Sequence, residues 1–93
     1  MDPWPGTVAT FQLNVDTPGP RCGMVRGSQQ LRVVNATGTT VIVTLHGFEY
    51  LLKAGEERTL PPTFGSIWQP GVHGLKVSFY AGGNGPDIIL LAD

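Results

Sequence analysis

Charge is scarce in this sequence. Asp, Glu, Lys and Arg make up 14% of its 93 residues, and six basic and seven acidic side chains leave a formal net charge of −1. An average soluble domain carries about 25% charged residues. The balance excludes the basic surface on which nucleic-acid binding draws, and no charge block forms a tail. Cysteine is nearly absent. Cys22 stands alone, so no internal disulfide staples the chain. A single Cys fits a reducing compartment or an exported protein that does without disulfides. Two His and one Cys leave little material for a metal cluster. No apolar run approaches the roughly 18–20 residues of a membrane helix. Residues 1–6 have neither the charged nor the apolar region of a secretory leader.

Glycine and proline are abundant, at 13 and 8 residues, and hydrophobic residues reach 41%. That apolar share is enough for one small core and argues against disorder. The length predicts a single domain over 1–93, with the Pro-rich residues 1–6 as a flexible lead-in. A domain this small buries only about 60–65% of its unfolded surface, so it depends on close packing.

The apolar pattern is strand-like throughout, with no sustained helical period. From Thr7 to Val15, Ala9, Phe11, Leu13 and Val15 alternate with Thr10, Gln12 and Asn14, the period of a half-buried strand. Asp16 to Gly23 reads as a loop. Gln30–Asn35 and Thr40–His46 read as strands joined by the Asn35–Thr39 turn, with His46 on the face of Ile42 and Thr44. Shorter strands are expected over Glu49–Lys53 and Arg58–Leu60. Gly74–Tyr80 alternates again, with Leu75, Val77 and Phe79 inward and Tyr80 outward. After a Gly82-Gly83-Asn84-Gly85 turn, where Asn-Gly suits a type I′ conformation, Ile88–Leu91 closes the chain as a strand buried on both sides. These short segments predict an all-β, antiparallel Greek-key β-sandwich of seven to eight strands.

From Leu31 to Leu91, about two-thirds of the chain, the order of parts resembles a cupredoxin. Val33-Val34-Asn35 with Thr37 leads into the Val41–Leu45 strand, and Leu52, Ala54-Gly55-Glu56 and Thr59-Leu60 follow. Pro70 to His73 opens the penultimate strand, and Gly85, Ile88 and Leu90 mark the last one. In copper-bearing cupredoxins the penultimate strand and its loop supply Cys, His and Met, and an earlier His completes the site. The matching positions here fall near Val77, Tyr80 and Gly83, none of them a comparable ligand, and only His46 falls near the earlier His. The resemblance therefore implies the fold without the usual type 1 copper ligands. It also implies an extracytoplasmic or secreted setting, since such domains usually work outside the cytoplasm.

Three readings of function follow. The leading one is a non-enzymatic binding or structural module of an exported or surface protein, with no cofactor, no metal and no catalytic residues. Its partner is a protein or a glycan, and its low charge favours self-association. The second is a copper-binding or electron-transfer protein that gathers Cys22, Met24, His46 and His73, a full Cys-His-His-Met set in an order foreign to the family. The bland reading of His73 is a strand-entrance ring bonded to a loop carbonyl. The third is a cysteine-protease inhibitor presenting the loops Asn35-Ala36-Thr37-Gly38 and Gly82-Gly83-Asn84-Gly85. Asn35-Ala36-Thr37 is also a glycosylation sequon, read first as a turn. Ser28, Ser66 and Ser78 lie in no nucleophile elbow. Trp4, Phe48, Tyr50, Phe64 and Trp68 cluster in or beside loops, where aromatics either plug a small sandwich or anchor a partner.

Overall fold

A computed structural model describes residues 3–60 and 69–91. Among them are nine strands: β1 (Val8–Leu13), β2 (Pro18–Gly19), β3 (Cys22–Arg26), β4 (Gln30–Asn35), β5 (Val41–Leu45), β6 (Phe48–Leu52), β7 (Glu57–Leu60), β8 (Gly71–Val77) and β9 (Asn84–Leu91). They form a four-stranded sheet in the order β2-β1-β4-β7 and a five-stranded sheet in the order β3-β9-β8-β5-β6. Alternation puts Ala9, Phe11 and Leu13 of β1 and Leu31 and Val33 of β4 on one wall of the core. Val41, Val43 and Leu45 of β5 and Ile88 of β9 line the other, all of them buried. Each large aliphatic or aromatic side chain so buried contributes about 1.5–3 kcal/mol.

The all-β sandwich stands, with a strand count and pairing that differ from expectation. Both sheets are mixed, because β1 pairs parallel with β4 and β3 pairs parallel with β9. β3 lies in the opposite sheet from β1, β2 and β4, so the chain crosses between sheets before returning beside β1. A strand that comes back after such a crossover can run parallel to its neighbour, which a tight hairpin forbids.

The Asp16–Gly23 stretch is not all loop, since it holds β2 and the start of β3. In β3 the inward positions are Gly23 and Val25, and Cys22 and Met24 take the other face. A Cβ on Gly23 would stand 2.8 Å from the Phe11 ring and 3.2 Å from Trp4, so only glycine lets the strand cross those rings. Trp4 lies on Phe11 with ring centroids 5.4 Å apart, a plug rather than an exposed anchor. Residues 3–6 are tied to the rest of the fold. Pro3 bridges to Met24, and the Trp4 N–H donates to the Met24 carbonyl at 2.8 Å. The buried Gln29 amide donates to the carbonyls of Trp4 and Gly6, each at 2.8 Å.

Strand ends depart from the expected alternation where side chains hold the turns. Val15 is 61% exposed, beyond the end of β1. β8 ends at Val77, so Phe79 swings to the surface and Tyr80 turns inward against the core. The Tyr80 hydroxyl donates to the Asn14 carbonyl at 2.7 Å, which ties the turn after β8 to the end of β1. Burial pushes the Tyr80 phenol pKa upward, outweighing the opposite pull of that hydrogen bond. The glycine turn sits earlier than expected: Gly82 and Gly83 carry the positive φ values, 71° and 74°, and Asn84-Gly85 already belong to β9. In β9 itself, Ile88 and Leu90 are buried and Ile89 and Leu91 only half so.

Candidate functional site

The end of the sandwich where the family's copper ligands would fall is built from other chemistry. Val77 is a fully buried core residue, Tyr80 is bonded to Asn14, and Gly83 sits in a left-handed turn. None of the three offers a thiolate, imidazole or thioether, so the residues at this place do not fit a type 1 copper ion.

His46 does not approach that end. β5 runs antiparallel to β8 with Val43 opposite Val77 and Thr44 opposite Lys76, so His46 lies toward the start of β8. It is not a strand residue either. His46 and Gly47 connect Leu45 to its partner Phe48 as a two-residue hairpin turn, with φ values of 53° and 83°. Two consecutive positive φ values make the type I′ turn that matches the twist of the flanking strands. His is among the few non-glycine residues that tolerate this conformation.

The turn aims the His46 ring at His73 of β8. His46 Nε2 lies 2.7 Å from His73 Nδ1, with ring centroids 4.7 Å apart and planes inclined at 65°. His73 Nε2 in turn faces the carbonyl of Gln69, the loop-carbonyl contact expected for a strand-entrance ring. Burial, and secondarily the charge of a protonated His73, holds the His46 pKa below the ordinary 6.5. The folded state therefore binds its proton less readily than the unfolded chain. The stability this contributes is complete above about 6.5 and is lost as the pH falls from there through the lower folded pKa. The thermal midpoint is expected to drop on acidification across that window. His46→Asn, which keeps a residue tolerant of positive φ, is expected to drop less. Equal pH profiles for the two proteins would contradict the assignment.

The structure does not bring the four scattered ligands together. His73 has the inward parity of Leu75 and pairs with Ile88, whereas Cys22 and Met24 lie on the outer face of β3. Two strand spacings, about 10 Å, separate β3 from β8, and the sheet itself stands between the two faces. The copper reading that uses Cys22, Met24, His46 and His73 as one set is therefore corrected. Among the described residues no group of three or more His, Cys, Asp or Glu side chains could hold a metal ion.

Asn35 is the polar centre that the sequence only hinted at. Its side chain is fully buried. Its amide nitrogen donates to the carbonyls of Thr39 at 2.7 Å and of Leu52 and Lys53 at 3.1 Å each. Its oxygen accepts from the Thr37 N–H at 3.0 Å and from the Thr37 hydroxyl at 2.7 Å. The amide thus fastens the β4–β5 turn to the end of β6 and is no glycan acceptor in the folded chain. Of the two loops in the inhibitor reading, Asn35 is interior and Asn84-Gly85 are strand residues, while Ala36, Gly38, Gly82 and Asn84 are exposed. Ser78 Oγ accepts the Ile42 N–H at 2.9 Å, a structural role. Tyr50 packs against the core, and Phe48 is 52% exposed. Phe64, Ser66 and Trp68 lie outside the described residues.

No protein-family profile and no curated protein sequence matches the chain. The fold is similar to a solved structure, the Cu-containing nitrite reductase (NirK) from Thermus scotoductus SA-01, with a TM-score of 0.67 at 15% sequence identity. The likeness covers 98% of this chain and 23% of the reductase chain, so the chain spans about a quarter of that protein's length. The expectation that the chain is not an enzyme is corrected here, because a protein that shares its fold is a reductase and the fold gives no ground for that exclusion. At this identity the likeness establishes architecture alone. The chain carries a cupredoxin-like β-sandwich, with non-ligating residues where the family places its copper ligands.

Proposed function

We propose that the chain is a binding or structural module of an exported or surface protein, and that it docks protein partners on the outer face of its five-stranded sheet. The observation that carries this reading is the apolar character of that face. Val72 of β8, 68% exposed, pairs with Ile89 of β9, which pairs with Met24 of β3, giving an apolar row across three strands. On the same face Ile42 and Leu51 form a cross-strand pair, 39% and 52% exposed. Apolar surface grouped in this way marks interaction sites more often than scattered single residues do. Among the described residues β6 is also the edge strand of that sheet. The exported setting rests on the resemblance to cupredoxins.

A second copy of the chain is the first partner to test. In sedimentation velocity, the weight-average coefficient is expected to rise with concentration, and Leu51→Glu combined with Val72→Glu is expected to hold it at the monomer value. A wild-type chain that stays monomeric at every concentration, and that leaves a hydrophobic fluorescent dye unbound, would overturn the reading.

A further inference from the structure

The His46–His73 pair lies away from both the outer sheet face and the family's copper position. The Gln69 carbonyl can only accept, so His73 Nε2 carries the ring hydrogen. In the neutral ring Nδ1 then holds a lone pair, and it points at His46 Nε2 across 2.7 Å. A ring oriented by donating its far N–H to a backbone carbonyl is the arrangement that metal-ligating histidines adopt, because the outer contact fixes the tautomer and raises the basicity of the ligating nitrogen. His46 is delivered by a two-residue turn whose positive φ values fix its direction. Two imidazole nitrogens thus meet in one hydrogen bond at the rim of the sandwich, one delivered by β8 and the other by the β5–β6 turn.

We propose that His46 Nε2 and His73 Nδ1 form a two-imidazole site for a divalent late-transition cation of the Zn2+ class. The cation takes the place of the hydrogen shared between the rings. His46 moves that hydrogen to its own Nδ1, so both ligating nitrogens present lone pairs and no net proton is lost. Tetrahedral Zn–N bonds of about 2.0–2.1 Å set the two nitrogens about 3.3 Å apart. The pair therefore opens by about 0.6 Å, a movement within reach of a hairpin tip. Among the described residues no third His, Cys, Asp or Glu joins the pair. The site differs from a type 1 copper centre in place and in composition, since Cys22 and Met24 lie on the opposite face of the sheet.

The test is a Zn2+ titration of the 15N-labelled chain near neutral pH, read on the imidazole nitrogens. A saturable one-to-one shift is expected at His46 Nε2 and His73 Nδ1, with His73 Nε2 keeping its hydrogen. His46→Asn and His73→Gln are each expected to weaken binding by more than the roughly 10–100-fold that an outer-shell partner alone is worth, and Cys22→Ser is expected to leave it unchanged. Absence of a saturable shift, a shift centred on Cys22, or full binding by either histidine variant would overturn the proposal. The wild-type nitrogen shifts decide the matter even where a variant folds poorly.

Discussion

Asn35→Ala is expected to cost about 3–5 kcal/mol of folding stability, which places it among the most damaging single substitutions in the chain. The side chain is fully buried and takes part in five hydrogen bonds that join the turn after β4 to the end of β6. Alanine removes the amide and leaves the carbonyls of Leu52 and Lys53 facing a dry cavity, where an unmet polar group costs about 1–3 kcal/mol. Asn35→Asp isolates the donor role. It keeps an acceptor for Thr37 but sets a carboxylate oxygen against three carbonyl oxygens. Burial and that repulsion would raise its folded pKa above the ordinary 3.9 or so. An acid with a raised folded pKa destabilises increasingly as the pH climbs through its unfolded value, so the variant's deficit should widen toward neutrality and narrow in acid. Urea unfolding at two pH values checks both points. A loss below about 1 kcal/mol for the alanine variant would show that water replaces the amide.

Gly85→Ala is expected to cost about 3 kcal/mol, at the upper end for overpacking. The β8–β9 register shifts between Gly74 and Lys76, where Leu75 alone opposes Gly85 and Pro86 of β9. A Cβ on Gly85 would drive into the Leu75 carbonyl oxygen and stand 2.7 Å from Val77 Cγ2. Backbone cannot yield as a flexible side chain can, and Val77 is fully buried. Gly74→Ala is the matched control on the same hairpin, since its Cβ would meet nothing nearer than an Asp87 carboxylate oxygen at 3.6 Å. Thermal unfolding of the two variants should differ sharply, and equal losses would contradict the close approach at Gly85.

The sheet core was legible in the sequence wherever apolar residues alternate without interruption, as in Ala9-Phe11-Leu13 and Val41-Val43-Leu45. β3 was not legible, because the rings of Phe11 and Trp4 demand glycine at its inward position 23 and so erase the period. β2 is only two residues long and carries no pattern at all. Strand ends were misplaced where one contact overrides parity, as at Tyr80, whose hydroxyl reaches back to Asn14 across the whole chain length between them. The candidate site shows the same division. His73 was readable as a strand-entrance ring bonded to a loop carbonyl. Its pairing with His46 was not, because it depends on a left-handed turn at His46 that the β-prone run before it conceals. Asn35 sits in a tripeptide whose glycosylation reading and turn reading share the same letters, and only burial separates them.

The central claim is that this cupredoxin-like sandwich keeps its two imidazoles together and its thiol and thioether apart from them. A copper titration of the reduced protein, followed by visible absorption and by backbone and imidazole NMR shifts, tests it most directly. The account predicts perturbation confined to His46 and His73 and no copper–thiolate charge-transfer band. A strong band with shifts at Cys22 and Met24 together with His46 and His73 would contradict it, since that result requires ligands from opposite faces of one sheet to meet at a single ion.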